Sequence, residues 1–108
     1  CAEAIPRQEQ RSAVLQRLAD TGHEVITLSF AQLEAFAGNM LELRSANGRR
    51  VTAMSDVARR SLAPEQLKKL EHNGTVISAP IDTIECSAGG SVRCMLAEIH
   101  LPRKGERA

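Results

Sequence analysis

The spacing of apolar residues predicts a helix near the start of the chain and a strand directly after it. The helix is predicted over residues 6–20, where the apolar positions recur at helical intervals, namely Val14, Leu15, Leu18 and Ala19. Gly22 provides the stop. Residues 24–28 form a short segment with Val25 and Ile26 between polar neighbours, which is typical of a strand.

A capping box and a hairpin turn organise the middle of the chain. Ser29 and Gln32 have the spacing at which two side chains satisfy the free backbone donors of a helix start. The helix that begins there is predicted to end at Gly38, a residue free to adopt a positive φ. Asn47-Gly48 is the strongest hairpin signal in the chain. It predicts an antiparallel pair of strands over residues 39–44 and 49–55.

The remainder alternates short helices with strands. Helices are predicted over residues 55–61 and 64–71, strands over 75–79 and 92–101, and a connection with one helical turn over 80–87. Ser55 or Asp56 can cap the first of these helices, and Leu67 and Leu70 form the buried edge of the second. Four helical segments and five strands in alternation indicate an α/β fold with mixed sheets and short helices.

Composition indicates one globular unit without a strongly charged surface. The 108 residues are 43% hydrophobic and 25% charged, with a net charge of +1. This balance argues against nucleic acid or a membrane as a partner, and no apolar run approaches the roughly 20 residues of a membrane-spanning helix. We therefore expect a cytoplasmic protein. The three cysteines form no paired Cys-x-x-Cys motif, so neither a disulfide framework nor a metal site is expected.

Two features suggest that residues 1–108 form a single partial domain of a larger protein. The chain begins with Cys1 rather than Met, and its core must form with only two aromatic residues, Phe30 and Phe36. Such a core is expected to need neighbouring parts of a larger protein.

Candidate chemistry concentrates at Cys94. A thiol reacts as its thiolate, and a nearby cation or a group of backbone N–H donors lowers its pKa. Arg93 and the turn Gly89-Gly90-Ser91 can supply both. The alternative is that Cys94 is a small hydrophobe packed on an internal strand. Because the glycine turn precedes a predicted strand rather than a helix, a nucleotide-phosphate loop is not expected.

The sequence places no histidine beside Cys94, although a cysteine nucleophile normally needs one. His100 lies six residues further along the predicted strand, which is roughly 20 Å away. His23 follows a helix stop and His72 lies in the last turn of a helix, where histidine commonly favours the helix C-terminus. The catalytic set is therefore incomplete within this chain.

Other polar residues have two interpretations each. Glu85 and Glu98 suit either paired catalytic carboxylates or a solvated strand edge. Cys86 could join a metal site only with further ligands that the sequence does not offer. Asn39 follows Gly38 at a strand start, where its amide suits either turn chemistry or the binding of a polar substrate.

Three blocks of the chain resemble the arginine-deiminase-like superfamily. Residues 89–98, Gly-Gly-Ser-Val-Arg-Cys-Met-Leu-Ala-Glu, preceded by Thr83-Ile84-Glu85, are similar to its nucleophile segment. The similarity is closest to the citrulline-utilisation hydrolases, which are amidinotransferase-related. Residues 36–43 and 54–62 are similar to two further blocks. In one departure, Ala88 stands where related sequences tend to have a third glycine.

The resemblance implies a pentein, an α/β propeller of ββαβ-type modules, of which this chain would hold about the last two. It implies a thiol-dependent C–N hydrolase of the deiminase type that acts on arginine, citrulline or a related guanidino or ureido compound, without metal or organic cofactor. Cys94 matches the nucleophile. The residues expected to bind the substrate are Asn39, Gly90, Ser91 and Arg93.

The same resemblance places the catalytic histidine, and the acid that holds the substrate, on earlier modules of the family fold. This chain alone is therefore expected to be inactive and to need the remaining propeller modules as partners. The alternative is a truncated, non-catalytic remnant that forms a homo-oligomer or binds another subunit, because a truncated propeller exposes sheet surfaces that favour association.

Overall fold

The computed structural model describes residues 1–101 and 104–105. A 3-10 turn at Ala2–Ala4 precedes six helices and three strands. In chain order these are α1 (Gln8–Asp20), α2 (Phe30–Glu34), β1 (Leu41–Arg44), β2 (Arg50–Ser55), α3 (Asp56–Ser61), α4 (Pro64–Asn73), β3 (Thr75–Ala79), α5 (Asp82–Ala88) and α6 (Val92–Met95).

The strands form one mixed sheet in the order β1-β2-β3. β1 and β2 are antiparallel, with Leu41 opposite Ala53, and β2 and β3 are parallel, with Ala53 opposite Ile77. Helices α3 and α4 connect the two parallel strands. The predicted α/β class with a mixed sheet is confirmed, and residues 41–79 have the element order ββααβ.

The predicted hairpin is confirmed at Asn47-Gly48. The N–H of Gly48 donates to the carbonyl oxygen of Ser45 at 2.8 Å, and Gly48 adopts a φ of 79°. Glycine takes this left-handed conformation without steric cost, so the turn matches the twist of the strands it joins.

The core lies between the sheet and the helices that connect β2 to β3. Met54 of β2 is 1% exposed and packs with the buried side chains of Ala37, Ala58, Leu62 and Val76. Leu67 and Leu70 of α4 pack against this cluster, as predicted. In contrast, the predicted helix α1 forms but buries none of its side chains against the described chain.

Helix caps fix the starts of α2 and α3. The predicted capping box is confirmed: the N–H of Gln32 donates to the Ser29 hydroxyl, and the N–H of Ser29 donates to the Gln32 side chain. Ser55, rather than Asp56, caps α3 by accepting a hydrogen bond from the N–H of Ala58. The Gln66 side chain accepts a hydrogen bond from the N–H of Ala63 at the start of α4, and the Gln32 amide donates to the same side chain at 2.6 Å. The two glutamines therefore hold α2 and α4 together.

The prediction of a strand over residues 24–28 is wrong. This segment lies along α4 rather than beside another strand. The Gln66 amide donates to the carbonyl oxygen of Thr27 at 2.6 Å, and Lys69 forms an ion pair with Glu24 at 2.9 Å. The alternation of apolar and polar residues suits either a strand in a sheet or an extended segment packed on a helix. The contacts with α4 show that the second is the case.

The prediction of a final strand over residues 92–101 is also wrong. Its first part is α6, and residues 96–101 form no strand. The last segment lies across a surface groove from β1, with Ile99 and Leu101 exposed, but it does not pair with the described sheet. The backbone of a strand must form hydrogen bonds with a neighbouring strand. Residues 96–101 have no such partner in the described sheet, so they form no strand despite their apolar pattern.

Two local boundaries also differ from expectation. α2 ends at Glu34, and the residue with positive φ before β1 is Phe36, at 59°, rather than Gly38. The connection after β3 contains the seven-residue helix α5 rather than a single turn. Among the described residues, no helix combines the length and the apolar content needed to cross a membrane.

Candidate active site

Cys94 lies in the first turn of α6, directly after the glycine turn. α5 ends at Ala88, and the next residue, Gly89, adopts a left-handed φ of 66° and reverses the chain. The N–H of Cys94 then donates to the carbonyl oxygen of Ser91 at 3.0 Å. The cysteine is exposed, so the alternative of a packed strand residue is wrong. The glycine turn also precedes a helix, not the predicted strand, although that helix has only four residues.

A buried pair of polar side chains anchors the loop of residues 89–94, which carries Cys94. Ser91 is fully buried, and its hydroxyl donates to Oε1 of Glu85 at 2.6 Å. Glu85 is only 6% exposed and lies on α5, so the predicted solvated strand edge is wrong for this residue. Val92 is also buried, and α6 packs against β2. The loop that carries Cys94 is therefore anchored to the body of the domain.

Asn39 brings the segment before β1 into contact with the cysteine loop. Its Oδ1 accepts a hydrogen bond from the backbone N–H of Arg93 at 2.9 Å. Its Nδ2 donates to Sγ of Cys94 at 3.1 Å. The structure thus joins two residues that are 55 positions apart and that the sequence analysis had proposed separately.

The surroundings of Cys94 favour its thiolate. The hydrogen bond from Asn39 lowers the pKa of the Cys94 thiol below its ordinary value, because a donor stabilises the charged form. A backbone hydrogen bond from Ser91 and the charge of Arg93 act in the same direction, and desolvation acts against them. An exposed thiol with a lowered pKa has the properties of a reactive cysteine.

Gly90 lies against the cysteine side chain. A Cβ built on Gly90 would be 3.2 Å from both Cβ and Sγ of Cys94, which is closer than ordinary van der Waals contact. A residue with a side chain at position 90 would therefore displace the sulfur.

Comparison with known proteins shows which family the chain belongs to. The model of the eukaryotic N,N-dimethylarginine dimethylhydrolase family matches residues 1–101. The chain belongs to this family. Because the family consists of arginine-modifying hydrolases of the pentein superfamily, the resemblance found in the sequence is confirmed. Comparison with curated proteins and with solved structures gives no match.

The three histidines of this dimethylarginine dimethylhydrolase-family chain interact with residues other than Cys94 or lie at a helix end. Nδ1 of His23 shares a hydrogen bond with the Thr21 hydroxyl at 2.9 Å, and Nε2 of His100 lies 3.8 Å from Oε2 of Glu98. His72 is in the last turn of α4. Within the described part of the chain, no histidine forms a hydrogen bond with Cys94.

The other candidates separate in space. Glu85 pairs with Ser91 and Glu98 with His100, so the two carboxylates do not form a pair with each other. Cys86 is exposed on α5. Over residues 1–101 and 104–105, no three His, Cys, Asp or Glu side chains are grouped so that they could hold a metal ion.

Sequence reasoning missed two features of the site. The first is the buried pair between Ser91 and Glu85, because residues six positions apart across a glycine turn carry no periodic pattern. The second is the double contact of Asn39, which depends on how α6 packs against the sheet. Asn39 stood out in the sequence by its place after Gly38 at a predicted strand start, and similarity to the family marked the block around it, but neither predicted its contact with Cys94.

Proposed function

We propose that this chain carries the nucleophile of a C–N hydrolase that acts on methylated arginine through a covalent adduct on Cys94. At the family level the chain is a hydrolase of arginine derivatives. The observation that carries the finer proposal is the exposed Cys94 thiol, which receives a hydrogen bond from Asn39 on a loop with buried anchors.

The proposed reaction has two steps. In the first, the thiolate of Cys94 attacks the guanidinium carbon, a C–S bond forms, and the bond to the methylated nitrogen breaks as the amine leaves with a proton. In the second, water attacks the adduct carbon and loses two protons, one to the group that protonated the leaving amine and one to solvent. The C–S bond breaks, the thiolate of Cys94 returns, and the product is a ureido compound. A nucleophile of this type divides one difficult substitution into two easier steps.

The side chains around Cys94 suggest how the substrate is held. Arg93 is exposed beside the thiol and can bind the α-carboxylate of an arginine derivative. Asn39 has a second amide hydrogen that its two hydrogen bonds within the chain leave for the substrate. Gly90 lies directly against the sulfur and has no side chain to crowd it, and the buried Ser91 contributes through the shape of the loop.

We propose that the proton donor for the leaving amine is a histidine on other modules of a pentein propeller. Two observations support this. Residues 41–79 have the strand order of a ββαβ-type module, with the two helices α3 and α4 between the parallel strands. Moreover, His23 and His100 are engaged with Thr21 and Glu98 rather than with Cys94. Without that histidine, the 108-residue chain alone should bind substrate weakly and turn it over poorly. The proposed reaction itself uses no metal and no organic cofactor.

Turnover by the complete gene product containing this sequence tests the proposal. We expect release of dimethylamine from N,N-dimethylarginine, abolished by Cys94→Ser. Cys86→Ser is the matched control, because Cys86 is also an exposed cysteine but lies on α5 away from the Asn39 contact. Undiminished release by the Cys94→Ser protein would reject Cys94 as the nucleophile.

A second candidate function is that of a self-associating or subunit-binding module. It is favoured by the exposed apolar side chains Ile77 on the edge strand β3 and Met95, Leu96 and Ile99 near α6. Light scattering of the 108-residue chain over a range of concentrations tests it. A monomer at every concentration would reject it, and a defined oligomer that is lost with Ile77→Lys would support it.

A further inference from the structure

We propose that Asn39 is a positioning residue that holds Sγ of Cys94 in its reactive place and stabilises the thiolate before any histidine takes part. The inference rests on the proposed nucleophilic role of Cys94. It assigns to Asn39 a task different from direct contact with the substrate.

The hydrogen bonds of Asn39 fix the orientation of its amide. A backbone N–H can only donate, so the atom of Asn39 that faces the N–H of Arg93 must be the carbonyl oxygen. The amide nitrogen is then the atom that faces Sγ, and it can only donate. A donor directed at sulfur favours the thiolate over the neutral thiol.

The same two hydrogen bonds both fix the position of the Cys94 sulfur and stabilise its negative charge. Asn39 contacts the consecutive residues Arg93 and Cys94, so one side chain fixes both the backbone of α6 and the sulfur that it carries. A change of the Cys94 rotamer would break one bond and leave the other in place. The amide therefore selects one rotamer of the cysteine.

Asn39 is itself held by the fold. Its N–H donates to the carbonyl oxygen of Phe36 at 2.8 Å, in a turn where Phe36 adopts a left-handed φ. Ala37, which directly follows Phe36 in this turn, is fully buried in the core cluster. Because this hydrogen bond and the burial of Ala37 hold the turn, the amide does not need to become ordered when the thiolate forms.

This arrangement differs from a cysteine activated by a histidinium ion pair. A neutral amide stabilises the anion but exchanges no proton with it, so the thiolate would persist when no histidine contacts Cys94. Activation of the thiol should then be measurable in the 108-residue chain itself, even if turnover is not.

The test is the pH dependence of alkylation at Cys94. The chain is prepared with Cys1→Ser and Cys86→Ser, so that iodoacetamide reports on Cys94 alone. Asn39→Ala removes both hydrogen bonds. Asn39→Asp keeps an acceptor for the N–H of Arg93 but places a carboxylate against the sulfur. Asn73→Ala is the matched control, since its amide donates only to the carbonyl oxygen of Lys69 on exposed α4.

At mildly acidic pH we expect Asn39→Ala to slow alkylation by roughly threefold to tenfold, as the thiolate fraction falls, and Asn39→Asp to slow it further. At alkaline pH, where the thiol is fully ionised, both variants should react at least as fast as the parent. Asn73→Ala should match the parent throughout. A purely structural role of Asn39 would not produce this dependence on pH.

The outcomes separate the two proposals. If the parent chain shows no more alkylation in acid than it does after unfolding in urea, the proposed activation of Cys94 fails. If the parent is activated but both variants keep its pH profile, the role of Asn39 is overturned while Cys94 stands. If circular dichroism shows that neither variant folds, Asn39 is structural and the proposal is likewise overturned.

Discussion

Replacing Gly90 by alanine tests how closely the loop is fitted to the cysteine. The added Cβ would lie 3.2 Å from Sγ and Cβ of Cys94, a few tenths of an ångström inside ordinary contact. The φ of Gly90 is not positive, so alanine is compatible with the backbone and the crowding is the main effect. Because Cys94 is exposed, its sulfur can move away by rotation to another rotamer, whereas its Cβ stays in place and must shift by a few tenths of an ångström with the backbone.

That rotation determines the expected magnitude. A change between staggered rotamers moves a sulfur by on the order of 3 Å, which breaks the 3.1 Å hydrogen bond from Asn39. The free energy of unfolding should change by less than about 1 kcal/mol, because no buried group is lost. Alkylation of Cys94 in mild acid should nevertheless fall by roughly threefold to tenfold.

The assay combines urea denaturation with iodoacetamide kinetics, and Gly89→Ala is the matched control. Gly89 has a φ of 66° and no atom within 4 Å of the added Cβ, so alanine there strains the backbone by about 1–2 kcal/mol without touching the sulfur. The two variants should therefore show opposite patterns, with lost reactivity for Gly90→Ala and lost stability for Gly89→Ala. Wild-type alkylation kinetics for Gly90→Ala would refute the reasoning.

Three further predictions concern stability and can be checked by urea denaturation. Ser91→Ala leaves the buried carboxylate of Glu85 without its hydrogen bond and should cost about 1–3 kcal/mol, and an unchanged midpoint would contradict the buried pair. Ser55→Ala removes the cap of α3 and should cost about 1 kcal/mol, and a variant as stable as the parent would contradict the role of the cap. Gly74→Ala would place Cβ 2.6 Å from the carbonyl oxygen of Arg50 and should cost about 1–3 kcal/mol, while wild-type stability would show that the two segments separate easily.

The features that the sequence predicted are those that neighbouring residues determine. The hairpin at Asn47-Gly48 and the capping box of Ser29 and Gln32 each form from residues within a few positions of one another. The helix starting at Pro64 is of the same kind, since proline favours the first turn. Local patterns are sufficient in these places because the stabilising contacts are themselves local.

The features that were missed depend on contacts between distant segments. Residues 92–101 have the apolar content of a strand, but the hydrogen bonding within α6 and the lack of a pairing partner in the described sheet decide otherwise. Glu85 was expected either in a pair of catalytic carboxylates or at a solvated strand edge, yet it is buried in contact with Ser91. The contact of Asn39 with Cys94 spans 55 positions and follows from the packing of α6 on β2.

The most direct test of the central claim is a comparison of the three cysteines within one molecule. The chain is treated with a chloroacetamidine probe at mildly acidic pH, and peptide mapping measures the modification of Cys1, Cys86 and Cys94. We predict that Cys94 reacts first and that this preference disappears after unfolding in urea, because the Asn39 contact then no longer lowers its pKa. Equal, slow modification of all three cysteines in the folded chain would contradict the assignment of Cys94 as an activated nucleophile.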